Sequence, residues 1–338
     1  MRKALGAGPA RPPGATRASG DTAATRGIEV RGAARAFGAV RAVDGLELVA
    51  RPGEVTALVG PNGSGKTTLL LMLATLLVPD AGELRVDGLD PVARPRDVRR
   101  IMGWMPDGFG TWDALTVREV LLTVAAAYRL PAVSRADSVD ELMRTMHLDE
   151  LADRPARVLS RGQKQRLGMA RALIHSPSVL LLDEPASGLD PRSRIELRDV
   201  LRALAAQGAT VLVSSHILSE LEEMSDRAVV VAGGKTVATE DLRPGATTAA
   251  WWRITTLDGD ALRTALHRRG VEYTVVPNPD GQWSTRGAVE TLLPDERAAA
   301  DLLEALVRDG VPVFGFAAGQ GRLETAYLAA TEAAEDRR

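Results

Sequence analysis

Residues 60–67 read Gly-Pro-Asn-Gly-Ser-Gly-Lys-Thr and match the pattern G-x-x-x-x-G-K-[ST] in full. The stretch before them, 55–59, is apolar enough for a buried strand, and the Leu-rich stretch after them, 68–78, has the length of a helix. A strand that leads into the pattern and a helix that leaves it are the context in which this pattern binds phosphate. The sequence therefore predicts a phosphate-binding loop rather than a glycine-rich turn with a chance lysine.

The chemistry of this loop follows from its residue types. Glycines let consecutive backbone N–H groups turn toward an anion, and the start of the following helix adds positive charge. Lys66 supplies a cation for the β- and γ-phosphates of a nucleotide, and the hydroxyl group of Thr67 can ligate Mg²⁺. The nucleotide-binding residues predicted here are Gly60, Pro61, Asn62, Gly63, Ser64, Gly65, Lys66, Thr67 and Thr68.

The composition is that of a globular protein with more than one core. The chain has 338 residues, 45% of them hydrophobic, and exceeds the length that one core usually serves. Its net charge of −2 does not indicate a nucleic-acid partner. The absence of cysteine excludes disulfides, cysteine-ligated zinc and thiol catalysis, and it suits a cytoplasmic protein. The longest apolar run, 69–78, is too short to cross a bilayer, so we expect no membrane span.

Changes in composition and a turn-forming segment divide the chain into three parts. Residues 1–26 are rich in Ala, Gly, Pro and Arg and predict a disordered leader, with a functional basic tail as the alternative. Residues 27–245 form the predicted nucleotide-binding domain, which includes a helical insert over about 107–157 with predicted helices at 116–128 and 138–146. An Arg-Pro-Gly turn at 243–245 marks the boundary, and 246–338 form a small α+β domain.

The last part predicts a second fold. Its pattern alternates strands and helices in the order β-α-β-β-α-β, which is the split βαβ, ferredoxin-like arrangement. A further helix is predicted at the end of the chain. The predicted elements are a strand at 251–257, a helix at 260–269, strands at 271–276 and 282–286, a helix at 295–308, a strand at 311–316 and the last helix at 323–335.

Two carboxylates follow a second apolar run. Residues 179–182 predict a central parallel strand buried on both faces, and Asp183 at its carboxyl end could hold Mg²⁺. Glu184 would then lie near the γ-phosphate and could polarise an attacking water. A strand that ends in a solvated acidic turn would explain the same residues, but the upstream phosphate loop favours the metal site.

Three more segments have less specific patterns. Ser160 is a candidate N-cap for a helix that runs to about residue 174, and such a helix start can bind phosphate or be an ordinary capped helix. Residues 187–191 form a turn. The apolar stretch 210–214 predicts another buried strand, and His216 after it could hydrogen-bond a γ-phosphate or be merely structural.

Together these segments resemble the ATP-binding cassette (ABC) ATPases, the motor subunits of ABC transporters, over roughly residues 28–240. The signature discriminates this family, because kinases and GTPases lack it. The stretch 159–167, Leu-Ser-Arg-Gly-Gln-Lys-Gln-Arg-Leu, resembles bacterial ABC-2-type exporter ATPases in particular. The matching positions are 60–67 for Walker A, 179–183 for Walker B, Glu184 for the catalytic glutamate, 159–163 for the signature, 187–190 for the D-loop, His216 for the switch histidine and Phe37 for the aromatic residue that stacks on adenine.

The resemblance implies a fold and a mechanism. The fold is a P-loop α/β domain with a mainly parallel sheet, an antiparallel β subdomain and a helical insert. Two copies pair head to tail, so that Ser160, Gly162 and Gln163 of one copy bind the ATP held with Mg²⁺ by the other. ATP closes the dimer, hydrolysis opens it, and integral membrane permease subunits receive the movement. The chain would lie on the cytoplasmic, inner face of the cell membrane and power an exporter.

Two positions depart from the family pattern. Asp107 occupies the position of a glutamine that reaches Mg²⁺ and the attacking water, and its carboxylate can still ligate the metal or accept from water. Arg161 replaces the first glycine of the signature, and it could assist at the triphosphate or point to solvent. The insert with Trp112 is the expected docking surface for the permease, although Trp112 and Tyr128 could also be core residues of the insert.

Two other functions stay open from the sequence. A non-transport ABC protein of translation, repair or chromosome maintenance is one, but the chain has a single cassette, no long coiled coil and near-neutral charge. The other is that 246–338 sense a small metabolite and regulate the motor, because the split βαβ order also occurs in ligand-binding domains.

Overall fold

The computed structural model describes residues 26–108, 110, 112, 114–215, 217–243, 250–276, 287–318, 323 and 327. Several predictions therefore lie outside the described residues. They are the leader up to residue 25, the predicted boundary after Arg243, the strand at 282–286, the role of His216 and most of the last helix.

The first 243 residues contain two sheets and the helices that pack on them. The strands are β1 (Ile28–Phe37), β2 (Val40–Ala50), β3 (Val55–Val59), β4 (Ala81–Val86), β5 (Met102–Met105), β6 (Val179–Asp183), β7 (Thr210–Ser214), β8 (Arg227–Ala232) and β9 (Lys235–Asp241). The helices are α1 (Lys66–Leu73), α2 (Pro95–Ile101), α3 (Val117–Ala127), α4 (Ala132–Thr145), α5 (Arg161–Leu173), α6 (Pro191–Ala206) and α7 (Leu218–Met224).

The larger sheet has the strand order β5-β6-β7-β3-β8-β9, in which only β8 and β9 pair antiparallel. Every residue of β3, β6 and β7 is buried, because helices cover both faces of the sheet. The predicted central strands at 55–59, 179–183 and 210–214 are therefore confirmed. Because parallel strands end at the same edge, the residues that follow these three strands meet there.

The helix after the phosphate loop begins earlier and ends earlier than predicted. It begins at Lys66 and ends at Leu73, whereas the apolar pattern predicted a helix over 68–78. Thr75 has a φ of 64°, a left-handed conformation that a helix cannot contain. Beyond it Leu76 and Val78 are exposed, so apolar composition extended the prediction past the true end of the helix.

A smaller antiparallel sheet packs beside the larger one. Its strand order is β2-β1-β4, and β1 pairs antiparallel with both neighbours. Its apolar residues join α1 and one face of the larger sheet in a common core. This sheet is the antiparallel β subdomain that the family resemblance implied.

The helical insert contains α3 and α4. Thr116 caps α3, since its hydroxyl accepts from the N–H of Glu119 while the Glu119 carboxylate accepts from the N–H of Thr116. This helix lies where the sequence predicts it. Helix α4 begins at Ala132 rather than at residue 138, the start that the pattern indicated. No helix in the described part of the chain is long and apolar enough to cross a bilayer.

The last described part is an antiparallel sheet with two helices. Its elements are β10 (Ala250–Thr256), α8 (Gly259–Arg268), β11 (Thr274–Val276), β12 (Gly287–Leu293), α9 (Glu296–Arg308) and β13 (Val313–Ala318), with the sheet order β11-β12-β10-β13. The described elements follow the predicted order β-α-β-β-α-β, but the second strand of the central pair is β12 at 287–293, and the strand predicted at 282–286 lies outside the described residues. The sheet and its helices enclose a separate apolar core around Ile254, Leu262 and Val289.

Candidate nucleotide-binding site

The loop between β3 and α1 has the backbone that its glycines permit. Gly63 and Gly65 have φ values of 79° and 105°, in the region that side chains rarely adopt. A Cβ at Gly65 would lie 2.3 Å from the carbonyl oxygen of Ala42, and one at Gly60 would lie 2.2 Å from that of Val231. Larger residues at these two positions would therefore displace neighbouring backbone.

Lys66 folds back over this loop. Its Nζ donates hydrogen bonds to the carbonyl oxygens of Gly60, at 2.7 Å, and Pro61, at 3.0 Å. The side chain is buried, and this burial lowers the pKa of Lys66, while Glu184 and Asp183 act in the opposite direction. The charged form is therefore incompletely compensated, and an anion bound at the loop would stabilise it.

A chain of hydrogen bonds joins the ends of three elements. The Thr67 hydroxyl, on α1, donates to Asp183 Oδ2 at 3.0 Å, and the Ser214 hydroxyl, at the end of β7, donates to Asp183 Oδ1 at 2.6 Å. Asp183 is almost wholly buried at the end of β6. Two of the three predicted metal ligands, Thr67 and Asp183, are thus in direct contact.

The donor set fits Mg²⁺. A hydroxyl and a carboxylate are hard oxygen ligands, and Mg²⁺ in phosphate sites uses one or two such side chains together with phosphate oxygens and water. Within the described ranges no group of three or more His, Asp or Glu side chains is placed to hold a metal without such additional ligands.

Glu184 follows Asp183 in an unusual conformation. Its φ is 52°, which is uncommon for a non-glycine residue and typical of functional sites. The Glu184 N–H donates to the Ser214 carbonyl oxygen at 3.1 Å, with the Ser214 hydroxyl 3.2 Å away. Ser214 therefore orients Asp183 and also fixes the backbone of Glu184.

These residues line a cleft of about 520 Å³, within the size range of ligand pockets. Asp107, an exposed residue, faces it from the loop after β5. The described residues that line the cleft are Val40, Ala42, Asn62, Gly63, Gly65, Lys66, Thr67, Thr68, Asp107, Asp183, Glu184 and Ser187. The predicted ligands Gly60, Pro61 and Ser64 belong to the same loop but do not line the cleft.

Phe37 lies at the end of β1, next to the cleft. It pairs with Val40, which lines the cleft, and half of its surface is exposed. The guanidinium of Arg35 lies 5.1 Å from the centre of its ring and is itself held by Asp80. The exposed ring is thus available for stacking, with a cation on one side.

The signature residues lie away from the cleft of their own chain. Ser160 and Gln163 form a capping box at the start of α5, in which each side chain accepts from the other residue's N–H, at 3.2 and 2.9 Å. Neither they nor Gly162 line the cleft. The predicted cap is confirmed, and the Gln163 side chain is engaged in it.

Arg161 contacts its own chain rather than the phosphate loop. Its Nη2 donates to the hydroxyl of Ser187 at 2.6 Å. Arg161 is also exposed, which agrees with one of the two alternatives from the sequence, but its bond to Ser187 was not predicted. The family resemblance placed Ser187 in the D-loop, but no bonding partner was predicted for it or for Ser214. Their only signals were a serine in the 187–191 turn and a polar residue at the end of an apolar strand.

The predicted docking surface has exposed aromatic groups. Trp112 is half exposed, and the guanidinium of Arg171 lies 5.9 Å from its ring centre. The Tyr128 ring stacks on His175 at 3.7 Å between ring centres and lies at the rim of the insert. Trp112 is therefore not a core residue, whereas Tyr128 has a packing role.

Known proteins are similar to this chain in sequence and in fold. A family model described as ABC transporter matches residues 43–187. The chain is 33% identical to the daunorubicin/doxorubicin resistance ATP-binding protein DrrA of Streptomyces peucetius over 321 residues, which cover 94% of this chain and 96% of DrrA. It is 36% identical to the Nod factor export ATP-binding protein I of Ralstonia nicotianae, over 62% of this chain and 66% of that protein.

Solved structures of ABC transporter subunits have a similar fold. The ATP-binding subunit of an ABC transporter, at 28% identity, has a TM-score of 0.60 and covers 64% of this chain and 90% of its own. A dimeric bacterial ABC transporter cassette, at 25% identity, also has a TM-score of 0.60 and covers 64% of this chain and 99% of its own. With these similarities, and with the Lys66, Asp183 and Glu184 arrangement described above, the chain belongs to the ATP-binding cassette family as an ATP-hydrolysing subunit of an ABC transporter.

Proposed function

We propose that this chain is the motor of an ABC exporter and that it binds Mg-ATP through Lys66, Thr67 and Asp183. The observation that carries the proposal is the hydrogen-bond chain Thr67–Asp183–Ser214 beside a buried lysine. Both relatives described above are named for resistance to, or export of, a compound. These names favour transport over a role in translation, repair or chromosome maintenance.

In the proposed site, each residue has a separate role. The backbone N–H groups of the loop and the ammonium of Lys66 bind phosphate oxygens. Thr67 and Asp183 supply two ligands of the metal, and Ser214 holds the Asp183 carboxylate in place. When bound, Mg²⁺ supplies positive charge that stabilises the phosphoryl oxygens. Phe37 provides a face for the adenine base.

Glu184 is the proposed general base or water-positioning group. It adjoins the metal ligand Asp183, lines the cleft, and has its backbone fixed by Ser214. Asp107 faces the same cleft and is the proposed additional ligand of the metal or of the water. His216, next after Ser215, remains the proposed contact to the γ-phosphate.

The second half of each ATP site comes, in our proposal, from another copy. Ser160 and Gly162 begin α5 outside the cleft of their own chain, so a head-to-tail dimer would bring them to the ATP of the partner. The start of α5 offers backbone N–H groups and the positive end of a helix. The similarity to a dimeric cassette supports this assembly.

The remaining proposals concern location and organisation. We propose that the insert around Trp112 receives a membrane-embedded permease, which keeps the chain on the inner face of the membrane. The near-neutral charge argues against a nucleic-acid partner. We also propose that the chain divides into a leader over 1–26, a motor over 27–245 and an accessory domain over 246–338. The proposed role of the accessory domain is structural or dimer-supporting.

The decisive experiment replaces Glu184 by Gln. The amide keeps the shape of the side chain but cannot act as a base, so ATP binding should persist while steady-state phosphate release falls by about 10²-fold or more. The matched control is Glu304→Gln, an exposed glutamate of α9 that should leave both unchanged. Undiminished turnover in the Glu184 variant would refute the assignment.

Transport is tested by what the protein co-purifies with. Recovery with an integral membrane protein, from mild detergent, is the expected result. Trp112→Ala should reduce that recovery without changing ATP binding. Recovery with ribosomes or DNA instead would favour the non-transport function.

A further inference from the structure

Arg161 is integrated into the loop that follows Glu184. Besides the hydrogen bond to Ser187, its side chain lies flat against Gly188. A Cβ at Gly188 would lie only 2.5 Å from Arg161 Cδ and 2.7 Å from Nε, and Gly188 has a φ of 76°. Because Gly188 has no side chain, the arginine can pack directly on its backbone, and a larger residue there would displace the arginine.

Further bonds join the same two segments. Gln165, one turn farther along α5, donates from Nε2 to the Ser187 carbonyl oxygen at 3.3 Å. Arg166 donates from Nη2 to the hydroxyl of Ser193 at 2.7 Å, and that hydroxyl donates to Asp190, the N-cap of α6. Because of these contacts, a displacement of the loop 184–190 either carries the start of α5 with it or breaks the hydrogen bonds between them.

The loop 184–190 is also part of the chain's own ATP cleft. Ser187 lines the cleft, and its N–H donates to the Glu184 carbonyl oxygen at 3.1 Å. A short path of direct contacts therefore leads from Glu184 through Ser187 to Arg161 and the start of α5. In the proposed dimer, Glu184 serves one ATP and the start of α5 serves the other.

We propose that Arg161 is a positioning residue that couples the two nucleotide sites of a dimer through its bond to Ser187. A glycine at this position could not make the contact to Ser187. The inference rests on the proposed head-to-tail dimer. A direct role in phosphate binding is disfavoured, because the guanidinium is held at Ser187 and packed on Gly188.

The test is the ATP-concentration dependence of hydrolysis in a double-mutant cycle. We expect sigmoidal kinetics in the wild type. In Arg161→Ala the Hill coefficient should fall toward 1, and the half-saturating ATP concentration should rise about two- to fivefold, the range of an exposed charged contact. Ser187→Ala should reproduce this, and the double variant should add little to either single one.

Two further variants distinguish coupling from other roles. Arg161→Lys, which keeps the charge but not the flat guanidinium, should rescue little. Arg297→Ala removes an exposed arginine of α9 and is the matched control, with no expected effect. Thermal unfolding identifies any variant that fails to fold. If Arg161→Ala fails to fold, the kinetic test is replaced by hydrogen exchange in Arg161→Lys, in which the amides of residues 184–190 should exchange faster than in the wild type.

The outcomes are separable. If Arg161→Lys is fully active while Ser187→Ala changes nothing, Arg161 acts as a charge at the phosphate and the coupling proposal is wrong. Unchanged kinetics in Arg161→Ala would also overturn it. A wild-type chain that does not hydrolyse ATP would instead refute the proposed function, before any variant is compared.

Discussion

At the residue scale, the site holds a buried cation against two carboxylates. The pKa of Lys66 is lowered because burial removes water from its ammonium group, and Asp183 and Glu184 only partly restore the charged form. The nucleotide-free protein therefore carries a charge that its fold does not fully stabilise. A polyphosphate bound at Lys66 should stabilise the charged ammonium group, and the same ion pair should contribute to the affinity for the nucleotide.

The first prediction concerns that lysine. In Lys66→Ala, we expect Mg-ATP to lose its effect on the thermal unfolding temperature, while the nucleotide-free variant unfolds close to the wild type. A ligand at 100 times its Kd stabilises a protein by about 2.7 kcal/mol, so the wild-type shift is easily measured. Lys235→Ala, at an exposed lysine paired with Asp44, is the control and should keep the shift. An unchanged shift in the Lys66 variant would contradict the site.

The second prediction concerns Asp107. If its carboxylate ligates the metal, Asp107→Gln should raise the Mg²⁺ concentration for half-maximal hydrolysis by about tenfold. If the carboxylate only adds negative charge to a cleft that already holds Asp183 and Glu184, the same variant should need less Mg²⁺. A magnesium titration at fixed ATP separates the two, with Asp301→Asn on α9 as the control. The first result is the one we expect.

Most of the cleft could be predicted from sequence, because spacing alone identifies residues that bind through local backbone. Lys66 and Thr67 lie within one loop, and Asp183 ends a strand whose apolar run is unmistakable. The bonds of Ser214 and Ser187 could not be predicted, since their partners lie 31 and 26 residues away and are brought close only by the fold.

At the element scale, the starts of helices with a side-chain N-cap were predicted accurately, whereas helix ends inferred from apolar composition alone were not. Ser160 and Thr116 each begin a helix at the predicted place, because a side chain that satisfies an N–H of the first turn leaves a sequence signature. Helix α4 has no side-chain cap and follows Pro131, and its start was misplaced by six residues. The strand β12 (Gly287–Leu293) was not predicted; the strand predicted just before it, at 282–286, lies outside the described residues.

The third prediction concerns the packing of α3 against the end of α5. His175 stacks on Tyr128 and donates from Nε2 to the Met102 carbonyl oxygen, and burial lowers its pKa below the ordinary value of 6.5. The unfolded chain therefore binds a proton more readily than the folded one. Stability should fall as the pH drops below about 6.5 and level off below the folded pKa.

The measurement compares thermal unfolding at pH 7.5 and at about pH 5.5. His175→Phe keeps a ring for stacking and should lose the part of the pH dependence that His175 contributes. It should also be less stable at both values, by about 1 kcal/mol, because the hydrogen bond to Met102 is gone. His267→Gln, on α8, is the control. Equal pH dependence in the wild type and the Phe variant would show that His175 is not responsible.

At the scale of the whole molecule, the order of strands decides which segments meet. Strand β7 lies between β6 and β3, so Ser214 stands between Asp183 and the phosphate loop and bonds the first of them. No local pattern encodes this order. The same architecture leaves Ser160, at the start of α5, outside the cleft. In the proposed dimer, each chain therefore supplies half of two ATP sites, one half through its phosphate loop and the other through the start of α5.

The last prediction tests whether those halves meet in a dimer. Lys66→Ala disables the phosphate loop and Ser160→Ala disables the signature, so each variant alone should fail to retain ATP after gel filtration. A mixed dimer has one site in which both mutated parts meet and one site in which both parts are intact. Since about half of randomly assorted dimers are mixed, the mixture should retain about a quarter of the ATP held by the wild type. Hydrolysis should be blocked with Glu184→Gln in every chain, so that retention reports closure alone. If Ser160 served the phosphate loop of its own chain, both sites of every dimer would be defective and mixing would restore nothing.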